Sequence, residues 1–114
     1  MDTQELINAV RQWGIEKGIT GPNGRGTLLG QLSKTQEELT ETRDAAVIYE
    51  DRWKMRGPSY PDQCDLIDGI GDTVITLILA AEMAGLTLED CLQAAYDEIK
   101  GRTGKMIDGQ FVKD

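Results

Sequence analysis

Apolar residues recur every three or four positions in four stretches of this chain, and glycine or proline separates each stretch from the next. That spacing places apolar side chains on one face of an α-helix and does not fit the strict alternation of a half-buried strand. Helices are predicted at residues 3–17, 27–54, 62–84 and from Thr87 onward. A length of 114 residues suits one domain. Four helices with short links therefore predict an all-α fold, a compact four-helix bundle in a single domain that spans residues 1–114.

Helix breakers and short polar residues predict where the first three helices begin and end. Residues 18–26, GITGPNGRG, are a loop by composition. The second helix ends near Gly57, and Pro58 and Pro61 open the turn that follows it. Asp62 then has the side chain of a good N-cap, because its carboxylate can accept hydrogen bonds from free backbone N–H groups. We therefore expect the third helix to begin at Asp62.

The end of the chain is predicted to contain one more helix and little else. Thr87 with Asp90 three residues later resembles a capping box, in which Asp takes the place of the usual Glu. Apolar residues after it form the inner face of the fourth helix: Leu88, Cys91, Leu92, Ala95 and Ile99. Glycines break up the tail that follows: Gly101, Gly104 and Gly109. Almost no strand is expected.

The charge of the chain excludes several partners. A formal net charge of −8 disfavours non-specific binding to nucleic acid or to anionic membranes, both of which need clustered Lys and Arg.

The longest apolar stretch, Thr73–Ala81, is too short to cross a bilayer, and the polar N-terminus does not resemble a signal peptide. Cys64 and Cys91 lack metal-binding or redox spacing and are interpreted as reduced thiols of a cytoplasmic protein.

The chain contains no histidine. This excludes His-ligated zinc sites, Ser-His and Cys-His nucleophilic pairs, and the Glu-x-x-His di-iron bundles. Any metal chemistry must use oxygen ligands, which select Mg²⁺, Mn²⁺ or Ca²⁺.

Two acidic clusters lie on the second and third predicted helices. The first contains Glu37, Glu38 and Glu41, within KTQEELTE. The second contains Asp65, Asp68 and Asp72, within DLIDGIGD. Glu38 and Glu41, three residues apart, share one helix face, and steps of three and four residues place Asp65, Asp68 and Asp72 on one face as well. If the two helices are antiparallel, both clusters can face one gap, where carboxylates repel each other unless cations lie between them.

KTQEELTE, the later GIGD and the C-terminal R-x-GKM-x-DG-x-FVKD together resemble the MazG-like nucleoside triphosphate pyrophosphohydrolases, especially the short single-domain forms carried by bacteriophages. The resemblance extends from about Leu6 to Asp114. It implies the four-helix, all-α pyrophosphohydrolase fold and hydrolysis of a nucleoside triphosphate to the monophosphate and pyrophosphate. It also implies Mg²⁺ as cofactor, with Mn²⁺ as a substitute.

The family pattern EExxE, a spacer, then ExxD gives roles to particular acids. Glu38, Glu41 and Asp72 would bind Mg²⁺, and Glu37 or Glu38 would orient the attacking water. The first acid of ExxD falls on Gly69, so Asp68 or Asp65 must replace it, with Asp68 the better candidate. An Asn that often follows ExxD falls on Leu79.

Candidate substrate ligands lie outside the acidic clusters. Lys34, Arg102 and Lys105 could bind phosphate, since Arg offers a fork of donors and Lys a point charge. Trp13 could stack on a nucleobase. The ordinary alternatives are surface cations and a core tryptophan.

Two other functions and one assembly state are also considered. The chain could be a non-catalytic helical interaction or regulatory protein whose metal site has degenerated at Gly69, or it could apply the same chemistry to an alarmone nucleotide. The third helix is apolar on several faces, which predicts a homodimer or homotetramer with residues 73–84 partly at the interface.

Overall fold

A computed structural model describes residues 1–57 and 59–114 of the chain. It contains four helices: α1 (Thr3–Glu16), α2 (Leu28–Arg56), α3 (Tyr60–Met83) and α4 (Leu88–Ile99). A two-stranded antiparallel sheet follows, with strands β1 (Gly104–Ile107) and β2 (Gln110–Lys113). The four predicted helices are confirmed to within a few residues at each end. The helical type of fold is thus confirmed at this coarse level. No helix in the described ranges is long and apolar enough to span a membrane.

Helix α4 begins after its expected cap, Thr87, and α2 begins one residue after its predicted start, with Thr27 as its cap. The Thr27 hydroxyl accepts a hydrogen bond from the Gly30 backbone N–H at 3.0 Å. The Thr87 hydroxyl accepts one from the Asp90 N–H at 3.1 Å. Each cap satisfies one of the backbone donors that a helix N-terminus leaves without an intrahelical partner.

The predicted N-cap of the third helix is wrong. Helix α3 begins at Tyr60, with Ser59 in the cap position, so Asp62 lies within the first helical turn. There its buried carboxylate accepts hydrogen bonds from the Ser59 hydroxyl and from the guanidinium groups of Arg52 and Arg56 at the end of α2. Asp62 therefore fastens the α2–α3 turn instead of capping the helix. Pro58, which was expected to open this turn, lies outside the described residues.

Almost no strand was expected, and the strand that the structure contains is confined to the glycine-containing tail, which forms a β-hairpin. Its strands pair in register from Gly104 with Lys113 to Ile107 with Gln110. Asp108 and Gly109 join them with φ angles of +50° and +80°. Two successive positive φ values are typical of the type I′ turn, for which Asp-Gly is a favoured dipeptide.

Helix α3 is the centre of the fold. The backbones of α1, α2 and α4 each pack against it, and the buried apolar residues lie in its second half, from Ile78 to Ala81. Gly14 lets α1 approach this core, since a Cβ atom there would stand 3.0 Å from the Thr20 hydroxyl oxygen and 3.8 Å from Leu79 Cγ. The second half of α3 thus carries the core, although Val74 and Leu77 within it stay exposed.

The molecule is more extended than the expected compact bundle. Its radius of gyration is 16.8 Å and its principal extents are 50 × 36 × 29 Å, whereas a compact domain of this length has a radius of about 13 Å. Helices α2 and α3 form a long antiparallel pair. The predicted inner face of α4 is not covered, because residues 91–100 are all exposed.

Candidate metal and nucleotide site

Two contacts fix the register of α2 against α3. The Thr35 hydroxyl on α2 donates a hydrogen bond to the Thr76 hydroxyl on α3 at 2.8 Å. Two helical turns away, Gly69 on α3 packs against Thr42 on α2, where a Cβ atom on Gly69 would lie 3.0 Å from Thr42 Cβ. These contacts show that the two helices run antiparallel with their faces closely matched.

Glu38 and Asp72 lie between these two contacts. Glu38 is three residues after Thr35 and four before Thr42, while Asp72 is four before Thr76 and three after Gly69. Residues three or four apart share a helix face. The register therefore directs the first acidic cluster on α2 toward the second cluster on α3.

Five acidic side chains line one cavity of about 230 Å³ between the two helices. They come from both predicted clusters: Glu38, Glu41, Asp65, Asp68 and Asp72. Ala45 and Gly69 complete its walls. The gap anticipated between antiparallel helices thus exists, and it gathers every metal-ligand candidate.

The chemistry of this cavity fits a hard divalent cation. All of its charged groups are carboxylates, and the one ion pair formed by any of them within residues 1–57 and 59–114 joins Glu38 to Lys34 at 3.5 Å. Such a concentration of negative charge favours cation binding. As the side chains stand, however, no three described Asp, Glu or Cys residues are grouped so that they could hold a metal ion. Binding would require the carboxylates to change rotamer or to act through water.

A second cavity of about 370 Å³ adjoins the first and shares Glu38 and Asp72 with it. Trp13 and Lys34 line it, so two of the predicted substrate ligands lie beside the acids. Apolar side chains form much of the remaining wall: Ile19, Ile75 and Leu79. Gln31 and Thr76 add polar groups. A mostly apolar cavity with one aromatic side chain and a few polar groups suits a small organic molecule.

Gln31 is a lining residue that was not predicted as part of the site. Its side-chain amide donates to the Thr76 backbone carbonyl at 3.3 Å, which links α2 to α3 at the cavity wall. The sequence spacing could have identified it, because Gln31 precedes Lys34 by three residues and Glu38 by seven. This spacing places all three side chains on one helix face. Leu79, at the position of the family's Asn, is almost fully buried and contributes only apolar surface here.

Lys34 is held at the rim of the second cavity by two carboxylates. Its ammonium lies 3.5 Å from Glu37 and 3.5 Å from Glu38. The pKa of Lys34 is raised above its ordinary value, chiefly by the negative charge of Glu37 and then by its hydrogen bond to Glu38. Lys34 is therefore a cation at neutral pH.

Three predicted site residues lie outside both cavities. The Glu37 side chain is 59% exposed and lines neither cavity, which separates it from Glu38 and Glu41. Arg102 pairs with Glu98 at 3.7 Å and lines a different cavity together with Lys113. Lys105 is on β1 and lines neither of the two cavities. The structure thus joins Trp13 and Lys34 to the acids and leaves Glu37, Arg102 and Lys105 apart.

None of the protein-family models, curated proteins or solved structures compared with this chain matches it.

Proposed function

We propose that the chain is a Mg²⁺-dependent nucleoside triphosphate pyrophosphohydrolase. The observation that carries this proposal is the pair of adjoining cavities that share Glu38 and Asp72, one acidic and one lined by Trp13 and Lys34. A phosphoanhydride substrate needs a divalent cation at its phosphates and a separate space for its base. Motif resemblance supplies the reaction type, and the cavities support it.

The acids on the two helices would hold the cation. Glu38, Glu41 and Asp72 are the proposed ligands, with Asp68 or Asp65 supplying the fourth carboxylate. When bound, Mg²⁺ (or Mn²⁺ as a substitute) neutralises charge on the phosphate oxygens. Lys34 would bind a phosphate oxygen, and Trp13 would stack on the base. Arg102 and Lys105 stay predictions as phosphate ligands.

The proposed reaction cleaves the bond between the α-phosphorus and the oxygen that bridges to the β-phosphate. Water attacks the α-phosphorus and pyrophosphate leaves with the bridging oxygen. Because the chain has no histidine, this water would be metal-bound or held by a carboxylate, which could also take its proton. Glu38 is our assignment for that role, since it lines both cavities while Glu37 lines neither.

A substrate panel tests the proposal. The purified chain, with Mg²⁺, is incubated with canonical nucleoside and deoxynucleoside triphosphates, with oxidised nucleotides and with guanosine tetraphosphate-type alarmones. From a triphosphate, chromatography should detect one monophosphate and an equal amount of pyrophosphate, and omission of Mg²⁺ should stop the reaction. Release of inorganic phosphate without pyrophosphate from a triphosphate would contradict the proposed bond cleavage. Preference for an alarmone would keep the chemistry and change the substrate.

A non-catalytic helical interaction protein is the second candidate function. Two observations favour it: Gly69 replaces an acid of the family pattern, and the carboxylates are not grouped for metal binding as they stand. Absence of turnover across the whole panel, together with no Mn²⁺ binding by calorimetry, would select this alternative.

Self-association as a homodimer or homotetramer is part of the proposal. The solvent-accessible surface is 8581 Å², whereas a folded monomer of this mass exposes about 6,200 Å². The interface expected partly at residues 73–84 stays a prediction: Thr76 and Ile78–Ala81 are buried within their own chain, whereas Val74 and Leu77 are exposed. Exposed large apolar side chains lie on all four helices and on the hairpin.

A further inference from the structure

The C-terminal hairpin has an apolar face that nothing in its own chain covers. Met106 and Phe111 are cross-strand partners, and their side chains are 67% and 53% exposed. The Phe111 ring lies across Gly104, where a Cβ atom would stand 2.6 Å from the ring. Within the described residues, the Cα atoms of the hairpin strands come within 8 Å of each other and of no helix. The hairpin therefore projects from the helical body.

Helix α4, which precedes the hairpin in the chain, has an exposed apolar face of its own. Leu92, Tyr96 and Ile99 follow one another at intervals of four and three residues, which places them on one helix face. All three are at least half exposed.

An isolated two-stranded hairpin is at best marginally stable in water. This hairpin has a well-matched turn and full pairing from Gly104 to Lys113, but it buries almost no side chain in its own chain. Its apolar residues must gain burial from another molecule if the hairpin is to contribute to stability. The area supports such burial, since the chain exposes about 2,400 Å² more than a folded monomer of its mass. Permanent homodimers bury about 1,000 to 2,500 Å² on each subunit.

The charge distribution identifies what covers the hairpin, because helix α4 belongs to the acidic part of the chain. Residues 100–114 contain four Lys or Arg and two Asp, a net charge of +2, whereas residues 1–99 carry the remaining eight basic and eighteen acidic residues, a net charge of −10. A weakly basic, apolar hairpin thus belongs to a chain with a strongly acidic helical body. The acidic helical body of a second copy of the chain is therefore electrostatically complementary to the hairpin.

We propose that the C-terminal hairpin docks on the helical body of a second copy of this chain, through its Met106–Phe111 face. Two copies related by a two-fold axis would bury both hairpins, and the assembly would be closed. This interface does not depend on catalysis, so loss of the proposed activity would leave it standing.

The first test measures mass by light scattering at micromolar concentration. The wild-type chain should have the mass of at least two chains. The double variant Met106→Ser, Phe111→Ser should dissociate to single chains or weaken assembly by about 100-fold, as expected when two apolar anchors are removed. Its circular dichroism should stay helical, because the hairpin packs against no helix of its own chain. Gln110→Ser, on the opposite face of the hairpin, is the matched control and should assemble as the wild type does.

Two outcomes of that test overturn the proposal. One is a single-chain mass for the wild type. The other is unchanged assembly in the double variant, which would move the interface to another surface.

The second test keeps the hairpin intact. A benzophenone amino acid in place of Met106 should form covalent two-chain products on illumination, with the cross-link mapped to residues 1–99 of the other chain. The same probe in place of Glu16, an exposed residue at the end of α1, should give none. Cross-links from Met106 confined to its own chain would contradict the docking.

Discussion

Gly69 on α3 packs against Thr42 on α2, so closely that a Cβ atom on Gly69 would stand 3.0 Å from Thr42 Cβ and 3.2 Å from Thr42 Cα. The position where the family pattern has an acid is therefore one where this chain leaves no room for a side chain. The absence of a carboxylate at residue 69 and the close packing of α2 against α3 therefore have the same cause. Asp65 and Asp68, which both line the acidic cavity, keep negative charge near this contact.

Gly69→Ala should destabilise the protein, although alanine is the better helix former. Glycine in a helix interior costs about 0.5 to 1 kcal/mol relative to alanine, but here the new methyl group would meet the backbone and side chain of Thr42. Overpacking of this kind costs about 1 to 3 kcal/mol. The urea midpoint of unfolding should therefore fall.

Gly71 offers the matched control two residues further along α3. A Cβ atom there meets nothing within 4 Å, so Gly71→Ala should raise the urea midpoint through helix propensity alone. Equal shifts for the two variants would contradict the close contact between Gly69 and Thr42.

The helices were predictable because each combines local signals that agree. Apolar spacing, the caps Thr27 and Thr87, and glycine after each helix all act within a few residues. The hairpin was missed although its signal is also local: Asp108-Gly109 between two short strands is a typical type I′ turn. Glycine was interpreted only as a breaker, and its positive φ at a turn was overlooked.

Non-local features were less accessible from the sequence. Helical spacing predicts that Glu38 and Glu41 share a face, but it does not predict that α1 carries Trp13 to the same cavity. That placement depends on the close packing of Gly14 against the core and on the loop after α1. Likewise, the residue type of Asp62 suggested an N-cap. Its pairing with Arg52 could not be predicted, because it depends on how the α2–α3 turn brings the two residues together.

Acid should weaken the fold through Asp62. Hydrogen bonds from the Ser59 hydroxyl, from Arg52 and from Arg56 lower the pKa of its carboxyl to about 2. The unfolded chain, with an ordinary pKa near 3.9, then binds protons more readily than the folded chain. The contribution of Asp62 to stability is complete above about pH 4 and is lost as the pH falls toward about 2.

Asp62→Asn should lower the urea midpoint near neutral pH and make its decline below about pH 4 shallower. Glu89 has a second carboxyl whose pKa is lowered to about 2, mainly by its hydrogen bond from Arg11. Glu89→Gln should therefore remove a separate share of the same acid dependence. An unchanged decline in both single variants would show that other carboxylates govern acid unfolding.

Replacing Glu38 and Glu41 together by Gln should abolish turnover and keep the helical fold. Both side chains line the acidic cavity, and Gln preserves their size while it removes two of the charges that would hold Mg²⁺. Pyrophosphate release measures the loss, and circular dichroism measures the fold. Near-normal activity would contradict the metal-site assignment.

Glu37→Gln is the matched control for that double variant. Its side chain is adjacent in sequence but mostly exposed and outside the cavity. We expect it to retain turnover. Complete inactivation by Glu37→Gln would restore the role predicted for this residue from the family pattern and would count against the assignment of Glu38 as the base.

The fourth carboxylate of the proposed metal site is either Asp68 or Asp65. Both line the acidic cavity together with Asp72. Asp68 precedes Asp72 by four residues, about one helical turn, whereas Asp65 precedes it by seven, a rise of about 10 Å along the axis. A single ion is more easily shared across one turn. We therefore expect Asp68→Asn to raise the Mg²⁺ concentration for half-maximal activity at least tenfold, about 1.4 kcal/mol, and Asp65→Asn to raise it less. Titration of activity with Mg²⁺ at saturating nucleotide measures both. A larger effect of Asp65→Asn would transfer the ligand role to Asp65, and no effect of either would mean that three acids suffice.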